Sequence, residues 1–139
     1  MADAVTTTVL RNDGQSNKYV VHLTSVSDGT GETAVIKVDI STLTVRGGEA
    51  GAPAVPCTYT SVEKIEYNVS GMTVKLAWDH TTDDTIAALG DGSGCISFKR
   101  EGGKVDPRSA GGTGDIVLTT TGHTLGDTYD IILHLKLKA

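Results

Sequence analysis

Apolar and polar residues alternate with a period of two along most of this chain, the pattern of strands that bury one face. The C-terminal segment 128–138 is the clearest case, since its large apolar residues at odd positions share one parity: Tyr129, Ile131, Leu133, Leu135 and Leu137. In segment 73–79, Trp78 alternates in phase with Val74 and Leu76, which predicts a core position for the tryptophan. No segment shows the 3.6-residue apolar stripe of an amphipathic helix.

Further strands are predicted from apolar and β-branched residues bounded by turn formers, at 6–11, 18–24, 33–39, 43–46, 58–69, 95–99 and 115–121. Segment 85–89 is ambiguous between a strand and a helical turn. Within 58–69, Ile65 and Val69 lie on the apolar parity and Thr60 on the polar one. The turn at Ser70 and Gly71 leads directly into the next strand, so segment 58–79 is predicted to form a hairpin.

Two Gly- and Pro-containing stretches, 47–56 and 101–112, have no usable period and are predicted as long loops. About eight short strands at regular spacing indicate an all-β, single-domain antiparallel β-sandwich, jelly-roll-like or Ig-like. We expect one domain over 1–139, with an extended N-terminal arm at 1–9. Loops at the ends of a sandwich are common binding sites.

The composition narrows the classes of partner. The chain has 139 residues, the size of one domain, and its 12 Lys and Arg against 17 Asp and Glu give a net charge of −5. This balance lacks the positive surface of a nucleic-acid binder. Aromatic residues make up only 4%, too few for a stacking platform, and no apolar run approaches a membrane span. We therefore expect neither nucleic acid nor membrane as a partner.

The N-terminal residues contain no basic region followed by an apolar run, so no secretory signal is expected. Synthesis in a cytosol-like compartment favours free thiols at Cys57 and Cys95. Whether these two cysteines pair depends on a geometry that the sequence does not contain.

Enzymatic motifs are also missing. The Gly-rich stretches 90–94 and 111–115 neither precede a predicted helix nor carry a phosphate-binding Lys, so no cofactor is expected. Serines, aspartates and four histidines are present, but no Gly-x-Ser-x-Gly elbow accompanies them. His80 and His123 lie in predicted turns, where solvated side chains are usual. We predict a non-enzymatic protein.

One short segment could hold a hard cation. Within six residues it combines three carboxylates and an imidazole: Asp79, His80, Asp83 and Asp84. Oxygen ligands of this kind suit Ca²⁺, which makes these four residues weak metal candidates. The other interpretation is an acidic turn whose side chains bind nearby backbone N–H groups. Cys57 and Cys95 lack the paired spacing of a zinc site.

Three blocks of sequence carry a resemblance: 1–8 with 21–39, then 71–79, and finally 111–122 with 126–133. Together they resemble small virion structural proteins of tailed bacteriophages. The resemblance spans nearly the whole chain and is most specific in the first and last blocks. It implies a virion component, chiefly a capsid decoration or cement protein that coats the outer surface of the assembled head.

The resemblance implies two protein partners, the major capsid protein and further copies of this chain, in a homo-oligomer such as a trimer. It places the protein on the capsid surface after synthesis in the bacterial host cytoplasm. The arm and the two long loops are the expected contact segments, with these candidates: Ala2, Asp3, Val5, Thr7, Val9, Glu49, Pro53, Val55, Lys104, Asp106 and Arg108. A tail, neck or baseplate component, a receptor- or glycan-binding module and a small hydrolase stay open as alternatives.

Overall fold

The structure is a computed structural model that describes residues 4–13, 17–46, 54–108 and 111–138. Within these residues the strands are β1 Ala4–Asp13, β2 Lys18–Val26, β3 Val35–Val38, β4 Thr44–Arg46, β5 Ala54–Pro56, β6 Tyr59–Ser70, β7 Thr73–Trp78, β8 Asp84–Leu89, β9 Gly92–Ser97, β10 Lys104–Val105, β11 Ile116–Thr121 and β12 Thr128–Lys138. Short 3₁₀ turns occur at Ile40–Thr42 and Lys99–Glu101.

The strands form an antiparallel β-sandwich. One sheet has the order β1-β2-β12-β6, with β9 and β10 both placed beside β6. The second sheet has the order β3-β11-β7-β8, and β4 and β5 form a separate two-stranded ribbon. A single apolar core draws side chains from both large sheets. The predicted all-β sandwich is therefore confirmed.

Strict alternation along β12 and β7 builds much of this core. The odd-numbered residues of β12 are 0–2% exposed from Tyr129 to Leu137. In β7, Val74 and Leu76 are fully buried and Trp78 is 1% exposed, as the sequence predicts. Burying each such side chain is worth roughly 1.5–3 kcal/mol, so these two strands contribute a large share of the apolar stabilisation.

Strand β6 does not keep a single alternation. Its register against β12 shifts between His134 and Leu135, because Glu63 is an extra residue in β6. A bulge of this kind reverses which side chains face the core. Thr60 and Val62 are consequently fully buried. The prediction that placed Thr60 on the polar face is wrong, because the sequence pattern assumed an unbroken strand.

The predicted hairpin over 58–79 is also wrong. Strand β6 pairs with β12, β9 and β10, whereas β7 pairs with β11 and β8 in the opposite sheet. The connection through Gly71, whose φ is 83°, carries the chain from one sheet to the other. Both strands bury an apolar face, and alternation alone cannot distinguish two neighbours in one sheet from two strands that face each other.

Four segments differ in detail from the sequence prediction. The ambiguous segment 85–89 lies in β8. The predicted loops 47–56 and 101–112 contain the short strands β5 and β10, which are only 3 and 2 residues long and too short to show a period. The part of the predicted arm from residue 4 onward is folded into β1, along the edge of the six-stranded sheet. No helix among the described residues is long and apolar enough to span a bilayer.

A buried polar network ties the two sheets together. The Lys37 ammonium of β3 donates to Glu32 Oε2 at 2.5 Å, and the Tyr129 hydroxyl of β12 donates to Glu32 Oε1 at 2.5 Å. The side chains of Lys37 and Glu32 are only 3% and 7% exposed. The Glu32 main chain also exchanges hydrogen bonds with Thr120 of β11. Glu32 therefore holds the β2–β3 connection against both sheets.

The two cysteines are free thiols in different environments. Cys57 is 5% exposed and its thiol donates to the Tyr59 carbonyl at 3.3 Å. Burial raises the pKa of the Cys57 thiol, which keeps it protonated and unreactive. Cys95 lies on β9 and is exposed.

Candidate interaction surface

Strand β1 is the outermost strand of the six-stranded sheet and pairs only with β2 among the described residues. Every side chain from Val5 to Asn12 is exposed, so neither face of this strand is covered. Val9 and Leu10 are 49% and 52% exposed. The strand forms because residues 5–9 are all β-branched, the class that best fits an extended, pleated backbone.

One face of β1 continues the core-facing side of β2. Thr7 is directly opposite Leu23 and Val9 is opposite Val21, and both β2 residues are fully buried. Cross-strand partners in an antiparallel pair point to the same face. The exposure of Thr7 and Val9 therefore shows that the sandwich covers β2 but leaves β1 projecting beyond the core.

Edge strands normally carry features that prevent pairing with another chain, such as charges, prolines or bulges. In β1 these features lie only in the second half of the strand. The register against β2 is interrupted between Val9 and Arg11, so Leu10 forms a bulge. Residues 5–9 precede the bulge and contain neither a charge nor a proline. This half of the strand, which we call the β1 edge (residues 5–9), has one hydrogen-bonding side that no other described strand pairs with.

The contact candidates of the predicted arm divide into two groups. Val5, Thr7 and Val9 lie together on one exposed face of the β1 edge. Ala2 and Asp3 lie outside the described residues. The structure thus gathers the described arm candidates into a single row on a folded strand.

The candidates of the loop 47–56 are only partly described. Glu49 and Pro53 lie outside the described residues. Val55 belongs to β5, is 43% exposed and pairs with Val45 of β4, which is 8% exposed. As direct cross-strand partners the two valines lie on the same face of the ribbon, where Val45 is covered and Val55 is partly exposed.

The candidates of the loop 101–112 have different environments. The Lys104 ammonium donates to the Ile86 carbonyl at 2.7 Å. Arg108 is exposed, and its guanidinium carbon lies 4.3 Å from the centroid of the Tyr59 ring. Asp106 is buried, so its side chain is not available to a partner at the surface, contrary to the contact expected there.

The buried carboxylate of Asp106 pairs with a buried histidine. His80 Nε2 lies 2.9 Å from Asp106 Oδ1, and the two side chains are 0% and 1% exposed. The other ring nitrogen of His80 contacts Asp84, whose side chain is 40% exposed. Asp106 Oδ1 also accepts from the Arg108 backbone N–H at 2.8 Å. The cluster fastens the loop after β10 to the start of β8, and the buried imidazole has no surface from which to act on a substrate.

The four weak metal candidates are engaged by other protein groups, partly within their own turn and partly outside it. Asp83 Oδ1 accepts from the His80 backbone N–H at 3.1 Å, and Asp79 Oδ2 accepts from the Thr113 hydroxyl at 2.9 Å. Within the described ranges no three His, Cys, Asp or Glu side chains are arranged to hold a metal ion. The contacts match the acidic-turn interpretation of segment 79–84.

Two concave features lie among the described residues. A cavity of about 110 Å³ lies beside the His80 cluster, lined by Thr58, Asp106, Arg108, Gly112 and Gly114. A shallow depression of about 280 Å³ lies among β6, β9 and β12, and Glu66 is one of its lining residues. The hydrogen bond with His134 and the charge of Lys64 lower the pKa of the Glu66 carboxyl. Small-molecule sites commonly enclose about 300–1,000 Å³, so the cavity falls well below that range and the shallow depression lies at its lower limit.

A buried carboxylate at the start of β11 gives a pH-dependent prediction. Asp115 Oδ1 accepts from the Ile40 N–H at 3.0 Å, but burial is the stronger influence and raises the pKa of the Asp115 carboxyl above 3.8. The folded state therefore binds this proton more tightly than the unfolded state. Stability contributed by the protonated carboxyl is lost as the pH rises from about 3.8 through the folded pKa.

Asp115→Asn keeps an oxygen for the Ile40 N–H and removes the buried charge. We expect a higher Tm than wild type at about pH 7, and a difference that shrinks towards about pH 3, where the native carboxyl is protonated. Thermal unfolding followed by circular dichroism across this range measures both effects. Asp115→Ala, which also removes the acceptor, serves as the control and is expected to be less stable than Asp115→Asn. A lower Tm for Asp115→Asn at neutral pH would contradict the prediction.

Comparison with known proteins gives little beyond the fold. No protein-family model and no curated protein matches the chain. One solved structure is similar, a mutant of the family 29 carbohydrate-binding module CBM29-2. The match has 8% identity and a TM-score of 0.45, and it covers 96% of this chain and 85% of the other. At these values the similarity carries no argument about ligands.

Proposed function

We propose that this chain is a non-enzymatic structural protein of a bacteriophage virion, and specifically a head decoration protein. In this role it binds the outer surface of the capsid and bridges subunits of the major capsid protein. The observation that carries the proposal is the β1 edge, an uncharged strand half that is exposed on both faces and whose outer side pairs with no strand of the described ranges. The three sequence blocks that resemble phage virion proteins supply the biological setting.

An exposed strand edge recognises protein rather than a small ligand. Its free N–H and C=O groups form main-chain hydrogen bonds with an added strand, while the side chains on the two faces give specificity. Val5 and Val9 supply apolar contact on the same face of such a pair. A decoration protein uses many copies of one modest contact, and the combined binding of copies that bridge neighbouring subunits far exceeds that of a single site.

The remaining features support a role without catalysis. Both nitrogens of His80 are engaged and its side chain is fully buried. The concave features are small, and the net charge of −5 suits a protein outside a DNA-filled shell.

Cryo-electron microscopy of the virion that contains this protein tests the proposal. We expect repeated density for the sandwich on the outer face of the shell, and lower thermal stability of heads that lack the protein. Heads can be assembled without it and then incubated with purified protein, so that restoration of heat resistance is measured directly. Density confined to the tail, neck or baseplate would contradict the decoration role. Unchanged heat resistance would contradict the bridging mechanism.

A further inference from the structure

We propose that the β1 edge pairs with the same edge of a second copy, in an antiparallel register centred on Thr7. The proposal rests on the proposed function and deepens it: the β1 edge joins neighbouring copies of this chain on the shell, and contact with the capsid protein is made by other surfaces of the sandwich. The central observation is that the sequence of the edge, Val5-Thr6-Thr7-Thr8-Val9, reads identically in both directions. An antiparallel pair related by a two-fold axis through Thr7 therefore matches every residue with its own kind.

The register places Thr7 opposite Thr7 of the second copy. Thr6 is then opposite Thr8, and Val5 is opposite Val9. Threonine pairs form cross-strand hydrogen bonds, and valine pairs give apolar contact, each worth roughly 0.2–1 kcal/mol relative to alanine. Because of the two-fold axis, each contact between different positions occurs twice: Val5 of either copy meets Val9 of the other, and Thr6 of either copy meets Thr8 of the other.

The uncharged side chains and the backbone hydrogen-bonding groups of the β1 edge both permit this antiparallel register. None of the five residues is charged, so no like charges oppose each other across the axis. In an antiparallel strand, alternate residues direct their N–H and C=O groups to the same side. One alternate set of β1 residues directs its N–H and C=O groups away from β2. In a two-fold pair this same set faces the second copy from both sides, so each N–H group lies opposite a C=O group. The bulge at Leu10 ends the regular strand just beyond Val9 and limits the pairing to this segment.

The predicted interface is small. A strand pair of this length buries less than the roughly 1,200 Å² of a stable complex, which predicts a weak dimer of the free protein. Many copies held close together on one surface favour the same contact through their high local concentration. A weak dimer is best detected by covalent trapping together with measurement of its dissociation constant.

Disulfide trapping tests the register. In a Cys95→Ser background, which removes the exposed native thiol, we expect Thr7→Cys to form a covalent dimer under mild oxidation. Opposed residues lie about 4.5–5.5 Å apart at Cα, within disulfide range. Thr6→Cys and Thr8→Cys are the matched controls, because each lies diagonal to its own copy, at about 7–8 Å. Equal trapping at the three positions, or preferential trapping at a control, would overturn the register.

Charge pairing tests the contact at equilibrium. We expect Thr7→Lys and Thr7→Glu each to raise the dimer dissociation constant by about tenfold or more, because like charges then face each other across the axis. Mixing the two variants should restore association, as measured by sedimentation velocity at protein concentrations up to about 1 mM. Thr85→Lys, on the exposed edge of the other sheet, is the control and should leave association unchanged.

The results separate this inference from the proposed function. One outcome is that the wild-type protein is monomeric and the Thr7→Lys variant no longer binds heads. This result would overturn self-pairing and assign the β1 edge to a strand of the capsid protein. A dimer with the expected register in a protein absent from the virion would support self-pairing and overturn the decoration role. Association of Thr7→Lys equal to that of wild type would also overturn self-pairing.

Discussion

Lys37→Met is expected to lower the free energy of unfolding by about 3–5 kcal/mol, the cost of leaving a buried charge without its partner. The Glu32 carboxylate then keeps only the Tyr129 hydroxyl as a side-chain donor among the contacts described above. Because Glu32 also connects the β2–β3 segment to both sheets, the loss should act on the packing of the whole sandwich. Urea unfolding monitored by the fluorescence of Trp78 measures the change.

Two comparisons isolate burial as the cause. Lys18 and Glu63 form an ion pair with the same 2.5 Å separation, but their side chains are 31% and 18% exposed. Lys18→Met should therefore cost at most about 1 kcal/mol. The double variant Lys37→Met, Glu32→Gln removes both charges and keeps an acceptor for Tyr129, so it should be more stable than Lys37→Met alone. Equal losses for Lys37→Met and Lys18→Met would contradict the prediction.

His80→Ala is the second substitution for which we expect a loss of about 3–5 kcal/mol. It removes the imidazole that meets the Asp106 carboxylate in a fully enclosed position. Asp106 Oδ2 has no hydrogen-bond partner among the described residues, so Oδ1 alone anchors the carboxylate, through His80 and the Arg108 N–H. The loop after β10 should loosen together with the start of β8.

His80→Gln provides the matched control, because its amide nitrogen can still donate to Asp106. We expect it to lose less stability than His80→Ala. Asp84→Asn changes the partner whose side chain is 40% exposed and should have a small effect, of about 1 kcal/mol or less. Equal destabilisation by His80→Ala and Asp84→Asn would show that burial of the Asp106 pair does not determine the stability of this region. Chemical unfolding and hydrogen exchange of residues 104–108 measure the global and local effects.

Alternation of apolar residues was sufficient to predict most strands. The predicted bounds of the last strand, 128–138, match β12, because no bulge interrupts its pattern. The bulge at Glu63 and the crossing at Gly71 depend on which strands become neighbours, and a local period does not contain that information. Strand pairing in a sandwich is settled by contacts that are distant in sequence.

The candidate surface could be predicted only in part, because the local sequence shows which residue types form a strand but not which elements meet in the folded chain. Val5, Thr7 and Val9 are visible as a β-branched row, and their exposure follows from the position of β1 at the edge. The pairing of Asp106 with His80, 26 positions earlier, is invisible in sequence because it arises only when two connections meet in the folded chain. A charged residue in a Gly-rich loop is usually solvated. Burial of the Asp106 carboxylate is favourable only because His80 lies beside it as a hydrogen-bond partner.

The other strand edges determine how large an assembly of this chain can grow. Strand β3 has only 4 residues, β8 is interrupted by a register shift against β7, and β9 contains Gly92 and Gly94. Short, bulged or Gly-containing edges are poor templates for adding strands. The proposed self-pairing through β1 would use the same edge in both copies, so the assembly would close at two instead of extending into a fibre. A chain with this arrangement of edges would therefore self-pair at high concentration without polymerising.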